Sequence, residues 1–137
     1  MISMSSKKCT KILYDTDFLI ALFLFDQSTH HRAKKIFQNI QDKEPCIINL
    51  VKHELATVLS RKFSYQTAYN VIQELNSLPI NFINLDAKTE ELIWKEFFSH
   101  QKKNISFIDC ANLVIARKEK ILIASFDKFY PKNLLAK

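Results

Sequence analysis

Glycine is absent from all 137 residues of this chain. A G-x-G-x-x-G turn and a Walker A loop both depend on glycine where the backbone meets phosphate, so those nucleotide-binding architectures are excluded. Cysteine occurs only three times, with no C-x-x-C pair. Cys46 and Cys110 lie in apolar settings and are predicted to be buried thiols, whereas Cys9 falls in a polar tail. That usage fits a reducing cytoplasm better than a disulfide scaffold. There is no H-E-x-x-H and no Cys/His spacing suited to zinc. Low-complexity tracts, repeats and obvious linkers are also missing. No apolar run approaches the roughly 20 residues of a membrane span. Lys7, Lys8 and Lys11 precede apolar residues in the manner of a signal peptide, but Asp15 and Asp17 interrupt the stretch that would have to be hydrophobic.

What remains is ordinary for a globular protein: 47% hydrophobic and 25% charged residues. The length suggests one domain over residues 1–137, with 1–10 as a flexible tail. The formal charge is +6. Cations cluster at "HHRAKK", "SRK", "HQKK" and "RKEK", so a polyanion such as nucleic acid is a natural partner, beside the plainer reading of a basic surface.

Apolar periodicity and capping residues divide the chain into alternating strands and helices. "KILYD" predicts a strand over Ile12–Asp15, and "FLIALFLFD" a helix that Asp17 can cap. "STHHRAKKIFQNIQD" predicts a helix with Ala33, Ile36, Phe37 and Ile40 on one face. Pro45 opens the strand "PCIIN", and Asn49 is positioned to cap the helix that follows. Ser64 caps another helix, Pro79 precedes the strand "INFIN", and Asp86 caps "AKTEELIWKEFFSHQKK". Ser106 caps "FIDCANLVIARKEK", which runs straight into the strand "ILIAS". Short apolar strands alternating with helices predict an α/β fold with a mostly parallel sheet and helices on both faces. Ligands in such sheets bind outside the carboxyl ends of the strands.

Four carboxylates stand in unusual places. Asp15 ends the first strand and Asp127 follows the last, so parallel strands bring both to one rim; each also suits an ordinary turn or cap. Glu54 falls inside the apolar stripe of its helix, on the row between Leu50 and Val58; a glutamate at the stripe's edge could reach water or a lysine instead. Asp109 completes the S-x-x-D start of a helix that is apolar nearly all round, with Asn112 beside it as a small polar edge. Carboxylates gathered on one rim repel one another, and a divalent cation removes that conflict. An all-oxygen donor set selects Mg²⁺ or Mn²⁺. Asp17, as a cap, would touch such a cluster only from behind.

The segments "ILYDTDFLIALF", "INLVKHELATVLSR", "ISFIDCANLVIARKEK" and "ILIASFDKFY" resemble, in order and approximate spacing over essentially the whole chain, the PIN domain family. Many of its members are VapC-type ribonuclease toxins. The resemblance implies a PilT N-terminus-like three-layer α/β/α sandwich around a mostly parallel sheet of four or five strands, and Mg²⁺- or Mn²⁺-dependent hydrolysis of RNA. Asp15, Glu54, Asp109 and Asp127 match the family's catalytic acids, with Asp15, Asp109 and Asp127 as metal ligands. Ser125 matches the hydroxyl residue of the last motif, and Thr16 the small hydroxyl residue after the first acid; Asp17 and Asn112 would support the cluster. A cognate antitoxin, a homodimer, a cytoplasmic location and no membrane are implied too. The helix Phe18–Phe25 and Trp94, Phe97 and Phe98 could supply partner surfaces, a core role being expected of most of them. Departures are Phe126, where arginine or asparagine is common, Asp17 in place of serine or asparagine, and "KEKI" where a glycine often precedes the last strand. A PIN fold kept only for binding RNA or protein is an alternative. A remote one is a haloacid dehalogenase-like phosphatase, whose hhhhDxD strand end "ILYDTD" also matches, although the glycine turn and terminal acid pair of that family are missing.

Overall fold

The computed structural model describes residues 10–24 and 28–137. The predicted tail, with Lys7, Lys8 and Cys9, and the end of the first predicted helix at Phe25 lie outside the described residues. Four short strands form one parallel sheet: β1 (Lys11–Tyr14), β2 (Glu44–Ile48), β3 (Asn81–Ile83) and β4 (Leu122–Ala124), in the spatial order β3-β2-β1-β4. Register runs through Leu13 opposite Cys46 on one side and Ile123 on the other. Ile12, Leu13, Cys46, Ile47, Ile48, Ile123 and Ala124 are wholly buried. Such continuous apolar runs belong to a sheet covered on both faces.

Among the described residues six helices connect the strands: α1 (Thr16–Phe23), α2 (His30–Asn39), α3 (Asn49–Lys62), α4 (Tyr65–Ser77), α5 (Ala87–Ser99) and α6 (Phe107–Glu119). Right-handed crossovers place α1 to α4 on one face and α5 and α6 on the other. In accord with this, α1 packs on α2 and α3, α3 on α4, and α5 on α6. The chain steps away from β1 in one direction through β2 and β3, then returns to add β4 on β1's other side. The carboxyl ends of β1 and β4 are thus the point where strand order reverses, the usual place for a crevice.

Local chemistry sets most helix starts. Ser64 Oγ accepts from Thr67 N, and Asp86 Oδ1 from Thr89 N, as the sequence predicts. Ser106 and Asp109 form a reciprocal capping box, each side chain accepting the other's backbone N–H at 3.0 Å.

Several expectations are corrected. β1 ends at Tyr14, and the cap of α1 is Asp15, whose side chain accepts from Thr16 N, so Asp17 is not the cap. Ile48 stands at the cap position of α3 without a side-chain bond, because β2 passes directly into the helix; Asn49 donates instead to Asn84 Oδ1. α5 stops at Ser99: His100 turns extended, bonds Glu96 and sets its ring 5.3 Å from that of Phe129. α6 does not run unbroken into β4. Lys120 ends it in the left-handed region at φ 57°, the conformation a glycine would adopt most cheaply. Of the apolar residues expected to be mostly core, Phe18, Leu19 and Ala21 are buried, whereas Trp94 and Phe98 are 42% and 75% exposed and stacked on each other.

Candidate metal and catalytic site

One open cleft of about 210 Å³ at the carboxyl edge of the sheet is lined by Asp15, Thr16, Asp17, Ile20, Glu54, Val58, Asp109 and Asp127. Five carboxylates from four separate segments therefore meet there. Asp15 and Asp17 arrive from the β1–α1 junction, Glu54 from α3, Asp109 from the start of α6, and Asp127 from the turn after β4. The starts of α1 and α6 stand at this edge, where free N–H groups favour negative charge.

Asp15 is the most tightly held of the five. Its Oδ1 accepts from Thr16 N at 2.8 Å and Asn112 Nδ2 at 3.1 Å. Its Oδ2 accepts from Ser125 Oγ at 3.0 Å and Tyr130 OH at 3.1 Å. Four donors use the carboxylate's approximate capacity. Burial nevertheless dominates, and with the nearby charge of Asp17 it pushes the Asp15 carboxyl up to about 7. Tyr130, buried against Asp15, is pushed well above the ordinary phenol range by burial first and by Asp15's charge second.

Asp17 reaches across to the last turn. Its Oδ2 accepts from Phe126 N at 3.1 Å, and Ser125 Oγ lies 3.1 Å from its Oδ1. Ser125 Oγ also accepts from Asp127 N at 3.0 Å. One hydroxyl thus ties Asp15, Asp17 and Asp127 together. Glu54 Oε1 accepts from Thr16 Oγ1 at 2.5 Å. Asp109 is raised, by burial first, then by Asp127 and Glu54 against the lowering pull of Ser106. Asp17 is raised by burial, with a smaller contribution from Asp127.

The eight sequence candidates are thereby gathered in and behind one cleft, Asn112 and Ser125 lying buried beneath it. Sequence reasoning missed Tyr130. Its only signal was an aromatic in an otherwise unassigned tail, and its partner stands 115 positions away.

The donor chemistry fits a hard divalent cation: every ionisable group lining the cleft is a carboxylate, and three of them are pushed upward in their company. Among the described residues, however, no three Asp, Glu, His or Cys side chains stand arranged to hold a metal. The oxygens are turned to local donors instead, Asp109 to Ser106 N and Asp127 Oδ1 to Phe129 N.

The family model for the PIN domain matches residues 12–132. This chain belongs to the PIN domain family. Among curated relatives of this PIN domain is the 23S rRNA-specific endonuclease VapC20 of Mycobacterium tuberculosis, 27% identical over 112 residues that cover 80% of this chain and 83% of that protein. The crystal structure of VapC20, described as a sarcin-ricin loop cleaving toxin, superposes with a TM-score of 0.75 at 24% identity, covering 85% of this chain and 90% of that one. A toxin–antitoxin complex from Klebsiella pneumoniae superposes at 0.64 with 16% identity, over 93% and 97% of the two chains. These likenesses show the PIN fold. With the family match, they displace the phosphatase reading. No helix among the described residues is long and apolar enough to cross a membrane.

Proposed function

We propose that this PIN domain is an endoribonuclease that hydrolyses single-stranded or loop RNA with Mg²⁺ or Mn²⁺, and that it acts in the cytoplasm as the toxin of a type II toxin–antitoxin pair. The observation that carries the reading is the meeting of five carboxylates in one cleft of a protein with net charge +6. An acidic site on a basic molecule suits phosphodiester chemistry: the basic surface attracts the polyanion, and the acids await a cation. Kinship with VapC20 and with a toxin–antitoxin complex supports the substrate and the antitoxin partner. A homodimer, and one nuclease domain over residues 1–137, are part of the same proposal.

Asp15, Asp109 and Asp127 would hold the cation, and Glu54 would complete the cluster. When bound, the cation supplies Lewis-acid chemistry, activating water and stabilising charge that develops at the phosphate. The chain's own groups do the rest. Thr16 fixes Glu54 through Oε1, which leaves Oε2 to orient the attacking water and take its proton. Tyr130, Asn112 and Ser125 hold the Asp15 carboxylate in place. Asp17 braces the turn that carries Asp127.

The test is cleavage of end-labelled single-stranded and stem-loop RNA with Mn²⁺, by the native chain and by Asp15→Asn. Native cleavage that EDTA stops, with none from the variant, is expected. Full activity of folded Asp15→Asn would remove the assignment. The hydrogen bonds that Asp109 accepts from Ser106 N and Asp127 from Phe129 N favour, as a second reading, a catalytically weak, RNA-binding PIN fold. RNA bound but uncut at every Mn²⁺ concentration would favour it.

A further inference from the structure

A second pocket, of about 510 Å³, lies on the far side of the turn after β4. Ser125 and Asp127 line it, and Asp127 also lines the acidic cleft, so the two depressions share a wall. Their charges are opposite. Arg32, Lys128, Lys132 and Lys137 surround the second pocket, over an apolar floor that includes Ile36 and Leu135.

Arg32 is the cation whose position is best defined. It comes from α2, and its guanidinium carbon stands 4.8 Å from the centre of the Phe126 ring. Phe126 is in turn held by Asp17, which accepts its backbone N–H at 3.1 Å, and by its ring's approach to Phe18 at 6.2 Å. A guanidinium resting on an aromatic face uses the face of its π system. Among the described residues no protein group takes the N–H donors of Arg32, so they are available for two oxygens of one anion, the bidentate recognition that suits phosphate. Among the described residues no carboxylate is paired with Arg32.

We infer that this pocket binds the RNA phosphate next to the one being cleaved, and that Phe126 presents Arg32 to it. The inference rests on the ribonuclease reading above. Its argument is the alternation itself. A phosphodiester chain carries a charge at every nucleotide, so seating one phosphate among acids needs a cation there, while the neighbouring phosphate needs fixed positive charge close by. The shared wall at Asp127 provides that adjacency. An acidic peptide would match the second pocket but has nothing to place in the first.

The test is fluorescence anisotropy of a labelled single-stranded RNA in EDTA over a salt series, with Mn²⁺ cleavage of the same RNA measured in parallel. Arg32→Ala should weaken binding by about threefold to tenfold and flatten the plot of log affinity against log salt by about 0.7, the share of one single-strand phosphate. Phe126→Ala, which keeps the charge but loses its seat, should weaken binding less. Mn²⁺-induced thermal stabilisation of Arg32→Ala should match that of the native chain. If the native chain cleaves while Arg32→Ala binds RNA with unchanged affinity and slope, the pocket assignment is overturned and the nuclease reading stands. RNA held through Arg32 yet never cut overturns the nuclease reading, and with it the placement of this pocket beside a cleaved phosphate, leaving Arg32 a phosphate contact of an RNA-binding module. A native chain that neither binds nor cuts RNA overturns both.

Discussion

Replacing Asp15 by asparagine should make the metal-free protein more stable at neutral pH, although it removes the best-connected side chain of the cleft. Asp15 is 5% exposed, and burial with Asp17's charge pushes its carboxyl from 3.8 to about 7. The folded state therefore holds a proton that the unfolded state has released, so stability is fully present below about pH 4 and is lost as pH rises through about 7. At 1.36 kcal/mol per pH unit, that rise corresponds to a loss on the order of 4 kcal/mol from this one group. Asparagine has the same shape and no charge to desolvate. Its NH₂ cannot accept from Ser125 and Tyr130, which returns about 1 kcal/mol for each hydrogen bond not remade. Urea unfolding followed by circular dichroism in EDTA, from pH 4.5 to 8, reads the difference. The native curve should fall across that range and the variant's should fall less. Asp17 and Asp109, also raised, keep some slope in both. At pH 7.5, Mn²⁺ at about 100 times its dissociation constant should restore about 2.7 kcal/mol to the native chain and almost nothing to the variant. Native stability that is flat or rises with pH, or an unchanged slope in Asp15→Asn, would refute the reasoning.

The two neighbouring aspartates should differ in activity. Asp15→Asn should abolish Mn²⁺-dependent RNA cleavage, whereas Asp17→Asn, which loosens the turn at Phe126, should slow it by about 10–100-fold in a single-turnover assay. Lys120→Gly should raise the midpoint of urea unfolding, equivalent to about 1 kcal/mol, because the left-handed conformation of Lys120 costs a residue with a Cβ about that much. Ser106→Ala removes half of the capping box and should cost about 1 kcal/mol in the same assay.

Much of the fold was legible because its signals are local. Ser64, Asp86 and Ser106 cap helices within three residues of themselves, and the buried strands appear as short apolar runs. The Asp15–Asp17 pair was harder. Both are good caps two residues apart, and the choice depends on β1 continuing its ladder as far as Asp15 N, which donates to Ala124 O. That pairing joins residues far apart in sequence. The same holds for Tyr130 beneath Asp15, and for Phe126. The latter breaks the expected pattern of its turn and has a use only once α2 brings Arg32 over its ring. Exposure of Trp94 and Phe98 is another tertiary outcome: α5 stops at Ser99, and only Ile93 and Thr89 of that helix are buried.

The cleft's organisation follows from one choice, the use of Ser125 as a common post. Its hydroxyl donates toward Asp15 and Asp17 and accepts from Asp127 N, so β4's exit, β1's exit and the first turn of α1 are fastened at a single oxygen. A hydroxyl has one proton, so it cannot donate fully to two carboxylates at once. Bonding to Asp15 leaves Asp17 to the backbone N–H groups of Phe126 and Phe18, and bonding to Asp17 leaves Asp15 to Tyr130, Asn112 and Thr16 N. Burial, with the charge of Asp17 beside it, is why Asp15 stays protonated so far above the ordinary range although four donors surround it. A carboxylate in that state is poised to exchange its proton for a cation. Binding of Mn²⁺ near pH 6 should therefore release protons into weakly buffered solution, and Asp15→Asn should release fewer. Equal proton release by the two proteins would show that Asp15 is not where the exchange occurs.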